Sequence, residues 1–146
     1  MAQDFTMPVR DAVMRTLAAS PAVTVLVPAS SQYRGTVPVG RTFPFTRYGA
    51  PIAVPLRASG LDSATIRFTI HSFTKPLNDA SGRVLRPAED QSHIIAAAIA
   101  SALDDRVLRL DGYTASIVWT GTNQLQDPAE ADVWHAVTSF SADVTG

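Results

Sequence analysis

The chain has 146 residues, 46% of them apolar and 17% charged, with a net charge of −1 and no cysteine. That length is one domain's worth, able to bury roughly 68–70% of its extended-chain surface without disulfides or a metal. The missing cysteines exclude disulfides, thiolate metal sites and thiol nucleophiles, and the charge balance argues against avid nucleic-acid binding.

Met1 to Pro8 holds Asp4 and no basic residue, unlike the positively charged start of a secretory signal. A helix is expected from Met7 to Ala19, with Thr6 as its N-cap and Pro8 in the first turn, where a missing N–H costs nothing. Val9, Ala12, Val13 and Leu17 form one apolar stripe, and Pro21 stops the helix. Pro21 to Pro38 reads as a loop with a brief strand at Val23 to Val27. Phe43 to Tyr48 reads as a strand whose Pro44 confines it to an edge or a strand start. Gly49-Ala50-Pro51 reads as a turn, Ile52 to Leu56 as the start of the next strand, and Ala58-Ser59-Gly60 as loop.

Ala64 to Phe73 is the clearest strand. Ile66, Phe68 and Ile70 alternate with Thr65, Arg67, Thr69 and His71, the pattern of a half-buried antiparallel strand. Lys75 to Arg86 is a polar connection with turn signals at Asn78-Asp79 and Ser81-Gly82. Pro87 opens a second helix, Ala88 to Leu103, with Glu89 and Asp90 where the helix dipole favours acids. Its middle, Ile94 to Ala100, is the longest apolar run of the chain, far short of the ~20 residues of a membrane span. Tyr113 to Thr120 reads as a strand, Gly121 to Ala131 as a connection, and Asp132 to Val144 as the last strand. Together these predict a single α+β domain over residues 1–146: an antiparallel or mixed sheet of four to five strands with two helices on one face.

No constellation for catalysis stands out. His71, His93 and His135 lack metal-ligand spacing, although His71 and His135 lie on two strands that can meet across the sheet. No Gly-x-Ser-x-Gly elbow and no glycine-rich phosphate loop is present. Asp104-Asp105 and Glu89-Asp90 are adjacent pairs, which point to different helix faces. Phe43, Phe45, Arg47 and Tyr48 interleave aromatics with charge, as single-stranded nucleic-acid binders do, but a strand burying its aromatics explains them as well. The expectation is a non-enzyme without cofactor or metal.

Charge is unevenly distributed. Between Ala12 and Leu61 there is no acid, while Arg15, Arg34, Arg41, Arg47 and Arg57 give +5. From Asp104 onward seven acids face Arg106 and Arg109, giving −5. Either the two halves make separate patches, or they interleave in the fold and the charges mix.

Phe43-Pro44-Phe45, Ile66 to Phe73, Ile94 to Leu103, Asp127-Pro128 and Trp134-His135 follow one another in an order and spacing that resembles the phage tail-completion or tail-terminator proteins, a family also found in gene transfer agents. The likeness runs from about Val9 to Phe140, and Ser20 to Gly40 does not align. The resemblance implies a structural virion protein, made in the host cytoplasm and located in the tail neck, with no role at a membrane. It implies a homo-oligomeric ring, a hexamer, that caps the head-proximal end of the tail tube. The implied partners are the tail tube protein and a head-closure or stopper protein, with DNA only as cargo passing through the lumen. Another neck component, such as a head-closure or tail-tube protein, and a non-viral binding module are the alternatives. A ring needs a heterologous interface between two different patches. Arg34, Arg41, Arg47 and Arg57 facing Asp127, Glu130 and Asp132 of the next subunit would supply one. Lys75, Asn78, Asp79, Arg83 and Arg86 mark the connection as an arm expected to order on meeting the tube or neck.

Overall fold

The computed structural model describes residues 3–58 and 61–146. In chain order the elements are α1 (Thr6–Ala19), α2 (Pro21–Thr24), a 3-10 turn (Ala29–Ser31), β1 (Gln32–Tyr33), β2 (Phe45–Tyr48), β3 (Ile52–Ala58), β4 (Leu61–Thr74), β5 (Leu77–Asn78), β6 (Val84–Arg86), α3 (Ala88–Leu103), β7 (Val107–Leu110), β8 (Tyr113–Gln126) and β9 (Trp134–Thr145). Seven strands form one sheet in the order β1-β2-β4-β9-β8-β7, with β3 also paired to β4, and β5 and β6 make a separate ribbon. Within the sheet only β1 and β2 run parallel among the described residues. The class is α+β, as expected, with a larger sheet than the four to five strands the pattern suggested.

The centre is the β4–β9 ladder, which runs from Ser63 opposite Thr145 to Thr74 opposite Trp134. Alternation sends Ile66, Phe68 and Ile70 of β4, and Ala136, Phe140, Ala142 and Val144 of β9, to one buried face. Phe68 lies opposite Phe140 with the rings stacked at 5.2 Å, and Tyr48 stacks on Phe68 at the same distance. Helix α3 lies across β4, β8 and β9 and buries Ile95, Ile99 and Leu103. Helix α1 packs on α3 and β7 through Val9, Val13 and Leu17. Each fully buried Leu, Ile or Phe contributes about 1.5–3 kcal/mol. The opposite face carries Thr65, Arg67, Thr69, His71 and Phe73 and is only partly buried.

Several elements differ from expectation. Thr6 is the first helical residue rather than the N-cap; the Asp4 carboxylate accepts its N–H at 2.8 Å. Val23 to Val27 is not a strand: α2 ends at Thr24, the Val27 N–H is then donated to Val23 O at 2.8 Å, and both valines are buried. Gly49-Ala50-Pro51 does not reverse the chain. Tyr48 faces Ile70 and Ile52 faces Arg67, so three residues oppose two. This is a bulge between β2 and β3, which run on along the same side of β4, with the Gly49 N–H donated to Thr69 O at 2.7 Å.

Residues 121–126, expected as connection, continue β8 past a register shift at Gly121, whose φ of 150° suits glycine. Val107–Leu110 is a strand the alternation signal was too short to reveal. The Lys75 to Arg86 connection carries the β5–β6 ribbon. Its turn is fastened by Asp79, whose Oδ1 accepts the N–H groups of Ser81 and Arg83 at 3.0 and 2.9 Å. Ala58 ends β3 rather than opening a loop, and the expected loop residues Ser59 and Gly60 lie outside the described residues.

Candidate functional site

The half-covered sheet face gathers aromatics and cations from three strands, β2, β4 and β9, and from the segments beside them. Phe45 lies opposite Phe73 and Phe73 opposite His135, so the ladder itself stacks them. Ring centroids are 4.8 Å apart for Phe45–Phe73 and 4.2 Å for Phe73–His135. Arg41 sits 5.5 Å from the Phe45 ring centroid, Arg47 5.9 Å from Phe73, and Lys75 4.7 Å from Phe43. Such cation–π contacts contribute about 0.5–1 kcal/mol each at exposed sites.

Beside them His71 and His135 meet, Nδ1 to Nε2, at 2.7 Å, while His71 Nε2 lies 3.0 Å from Thr69 Oγ1. One ring donates and the other accepts. Burial pushes both imidazoles below the ordinary histidine range, His71 to about 4, and the Arg47 guanidinium adds to this; Asp127 pulls His135 the other way. Among the described residues no group of three or more His, Asp or Glu side chains is arranged to hold a metal.

The sequence-derived interface residues are distributed as follows. Arg41, Arg47, Asp127 and Glu130 come together round one groove of about 220 Å³, with Phe43, Phe45 and Phe73 in its wall. There the charges of the two halves mix. Glu130 pairs with Lys75 at 3.5 Å. The Asp127 carboxylate accepts the N–H of Ala129 at 2.8 Å and so shapes its own turn. Arg34 stands apart: it binds Asp11 at 2.5 Å, which Arg10 also approaches at 3.1 Å. Asp132 is exposed. The side chain of Arg57 lies outside the described residues.

Of the arm residues, Asn78 is in β5 and exposed, Asp79 holds the turn, Arg83 is exposed and Arg86 is half-buried in β6. The ribbon also presents Leu77, Val84 and Leu85, which are 47%, 52% and 61% exposed. Gln91 of α3 fastens its root by donating from Nε2 to Lys75 O at 2.7 Å.

A second recess escaped the sequence reading. It lies between α3 and β8, has a volume of about 410 Å³, and is lined by His93, Ala96, Ala97, Ala100, Ser101, Asp104, Trp119, Thr122 and Gln124. Small residues on one helix face leave it open, and Trp119 forms one wall with 43% of its surface exposed. Asp104, just past the helix end, accepts the backbone N–H of Trp119 at 2.9 Å and locks helix to strand. The indole N–H is satisfied by Thr122 Oγ1 at 3.1 Å, so the ring offers its apolar surface.

Comparison with known proteins fits this architecture. Among solved structures, a chain from "Virion of native gene transfer agent (GTA) particle" superposes with a TM-score of 0.80 over 99% of this chain and 100% of that one, at 18% identity. At that identity the likeness is one of fold. No curated protein matches the sequence. The family model described as tail completion protein gp17 matches residues 11–145, nearly the whole chain. The chain belongs to this tail completion family and is a structural protein of a phage or gene transfer agent tail.

Proposed function

We propose that the chain is the subunit of a homo-oligomeric ring, a hexamer, that caps the head-proximal end of the tail tube and joins it to the head-completion proteins. The family match across residues 11–145 carries this reading, and the full-length fold likeness to a chain of a gene transfer agent particle supports it. The protein works by shape and assembly rather than by chemistry: it stops tube growth, presents a docking face to the head-closure protein, and leaves a lumen for DNA. Arg34, Arg41, Arg47, Arg57, Asp127, Glu130 and Asp132 are proposed as polar contacts that set register between neighbours. Charges at such an interface contribute more to specificity and association rate than to affinity.

Deleting the gene in the producing cell tests the reading. The expected result is tails of uncontrolled length, separated from DNA-filled heads. Tails of normal length joined to heads would contradict it, and loss of the tube itself would move the chain to the tube-protein role.

A further inference from the structure

The ribbon and the α3–β8 recess are complementary in three respects. Their lengths match: β5–β6 with its turn is about five residues long per side, or roughly 16 Å, and α3 from His93 to Asp104 spans about the same at 1.5 Å per residue. Their apolar content matches, with Leu77, Val84 and Leu85 exposed on the ribbon and Ala97, Ala100 and Trp119 on the recess. Their charges are opposite. The ribbon carries Arg83 and Arg86, neither ion-paired among the described residues, and its single acid, Asp79, is spent on the turn. Helix α3 carries Glu89 and Asp90 at its start and no Lys or Arg; His93 Nε2 lies 3.8 Å from Glu89, which leaves Asp90 and, at the far end of the recess, Asp104. Arg106, beyond that end, is turned back to the Ala102 carbonyl at 3.2 Å.

No ribbon residue lines the recess of its own chain. We infer that the β5–β6 ribbon of one subunit lies in the α3–β8 recess of the next copy, with Leu85 against Trp119 and the alanine face, and Arg83 and Arg86 near the acids of α3. This rests on the ring reading and deepens it, since ribbon and recess are two different surfaces of one subunit. Repeated head to tail, such a contact closes a ring. A central aromatic in a recess with a charged rim is the arrangement in which interface energy concentrates.

The chain has no cysteine, so introduced thiols report cleanly. Leu85→Cys and Ala97→Cys, both at exposed positions, are combined in one gene, and particles are purified and mildly oxidised. The inference predicts a ladder of linked subunits on a non-reducing gel, reaching the full ring, that each single variant lacks. A linked monomer only would show the ribbon folding onto its own recess and overturn the inference. Unlinked subunits in particles whose images still show a ring would overturn it while leaving the ring reading intact. Particles with no ring would overturn both.

Discussion

His71 Nδ1 and His135 Nε2 lie 2.7 Å apart across the central ladder, two residues along from the stacked Phe45–Phe73 pair. The bond ties β4 to β9 on the half-covered face, next to the groove where Arg41, Arg47, Asp127 and Glu130 meet.

The pair makes stability depend on pH. Both folded-state pKa values are lowered, His71 to about 4, while an unfolded histidine titrates near ~6.5. In that interval the unfolded chain binds more protons, so the stabilisation is full above about pH 6.5 and is lost as pH falls toward 4. The thermal midpoint is expected to drop between pH 7 and 4.5, and replacing both residues by Gln is expected to flatten part of that drop. A double variant with an unchanged pH profile would count against the assignment.

Gly49 has no room for a side chain. A Cβ there would sit 2.0 Å from Thr69 Oγ1 and 2.7 Å from His71 Nε2. Gly49→Ala is expected to cost about 1–3 kcal/mol through forced displacement of that hydrogen-bonded cluster, read by urea unfolding. A cost near zero would show that Thr69 and His71 move aside freely.

Phe140 is 1% exposed and stacked against Phe68. Phe140→Ala is expected to destabilise by about 3–5 kcal/mol, the range for a large core aromatic, in the same assay. A loss below about 1.5 kcal/mol would mean that the sheet closes over the gap.

Asp79 acts on the ribbon alone. Asp79→Ala is expected to leave global stability within about 0.5 kcal/mol, as surface changes do, yet to speed amide exchange at Ser81 and Arg83, whose N–H groups it accepts. Unchanged exchange would show the turn to be held by the backbone bonds between Asp79 and Arg83 and between Gly82 and Asp79.

The sequence showed the parts of the fold that rest on sustained periodicity. The alternation of Ile66, Phe68 and Ile70 and the run from Trp134 to Ala142 gave the two central strands, and the Ala/Ile pattern gave α3 to its observed ends. The breaks were hidden because they look like turns. Gly49-Ala50-Pro51 and Gly121 interrupt a strand without reversing it, and only the register against β4 and β9 distinguishes a bulge from a turn. Val23 to Val27 has the apolar density of a strand but closes one helical turn, too short for periodicity to tell apart. The site was legible only in pieces. His71 and His135 were placed on strands able to meet, whereas the meeting of Arg41 and Arg47 with Asp127 and Glu130 required the tertiary path of the chain. The α3–β8 recess depends on Asp104 drawing in the Trp119 backbone, a contact with no local sequence signal.

Electron microscopy of particles carrying a small tag fused to this chain locates the proposed ring at the head-proximal end of the tail. One closed ring of tag density is expected at the tail–head junction, six subunits around, with none along the tube. Tag density repeated along the tube, confined to the distal tip, or absent from the particle would contradict it.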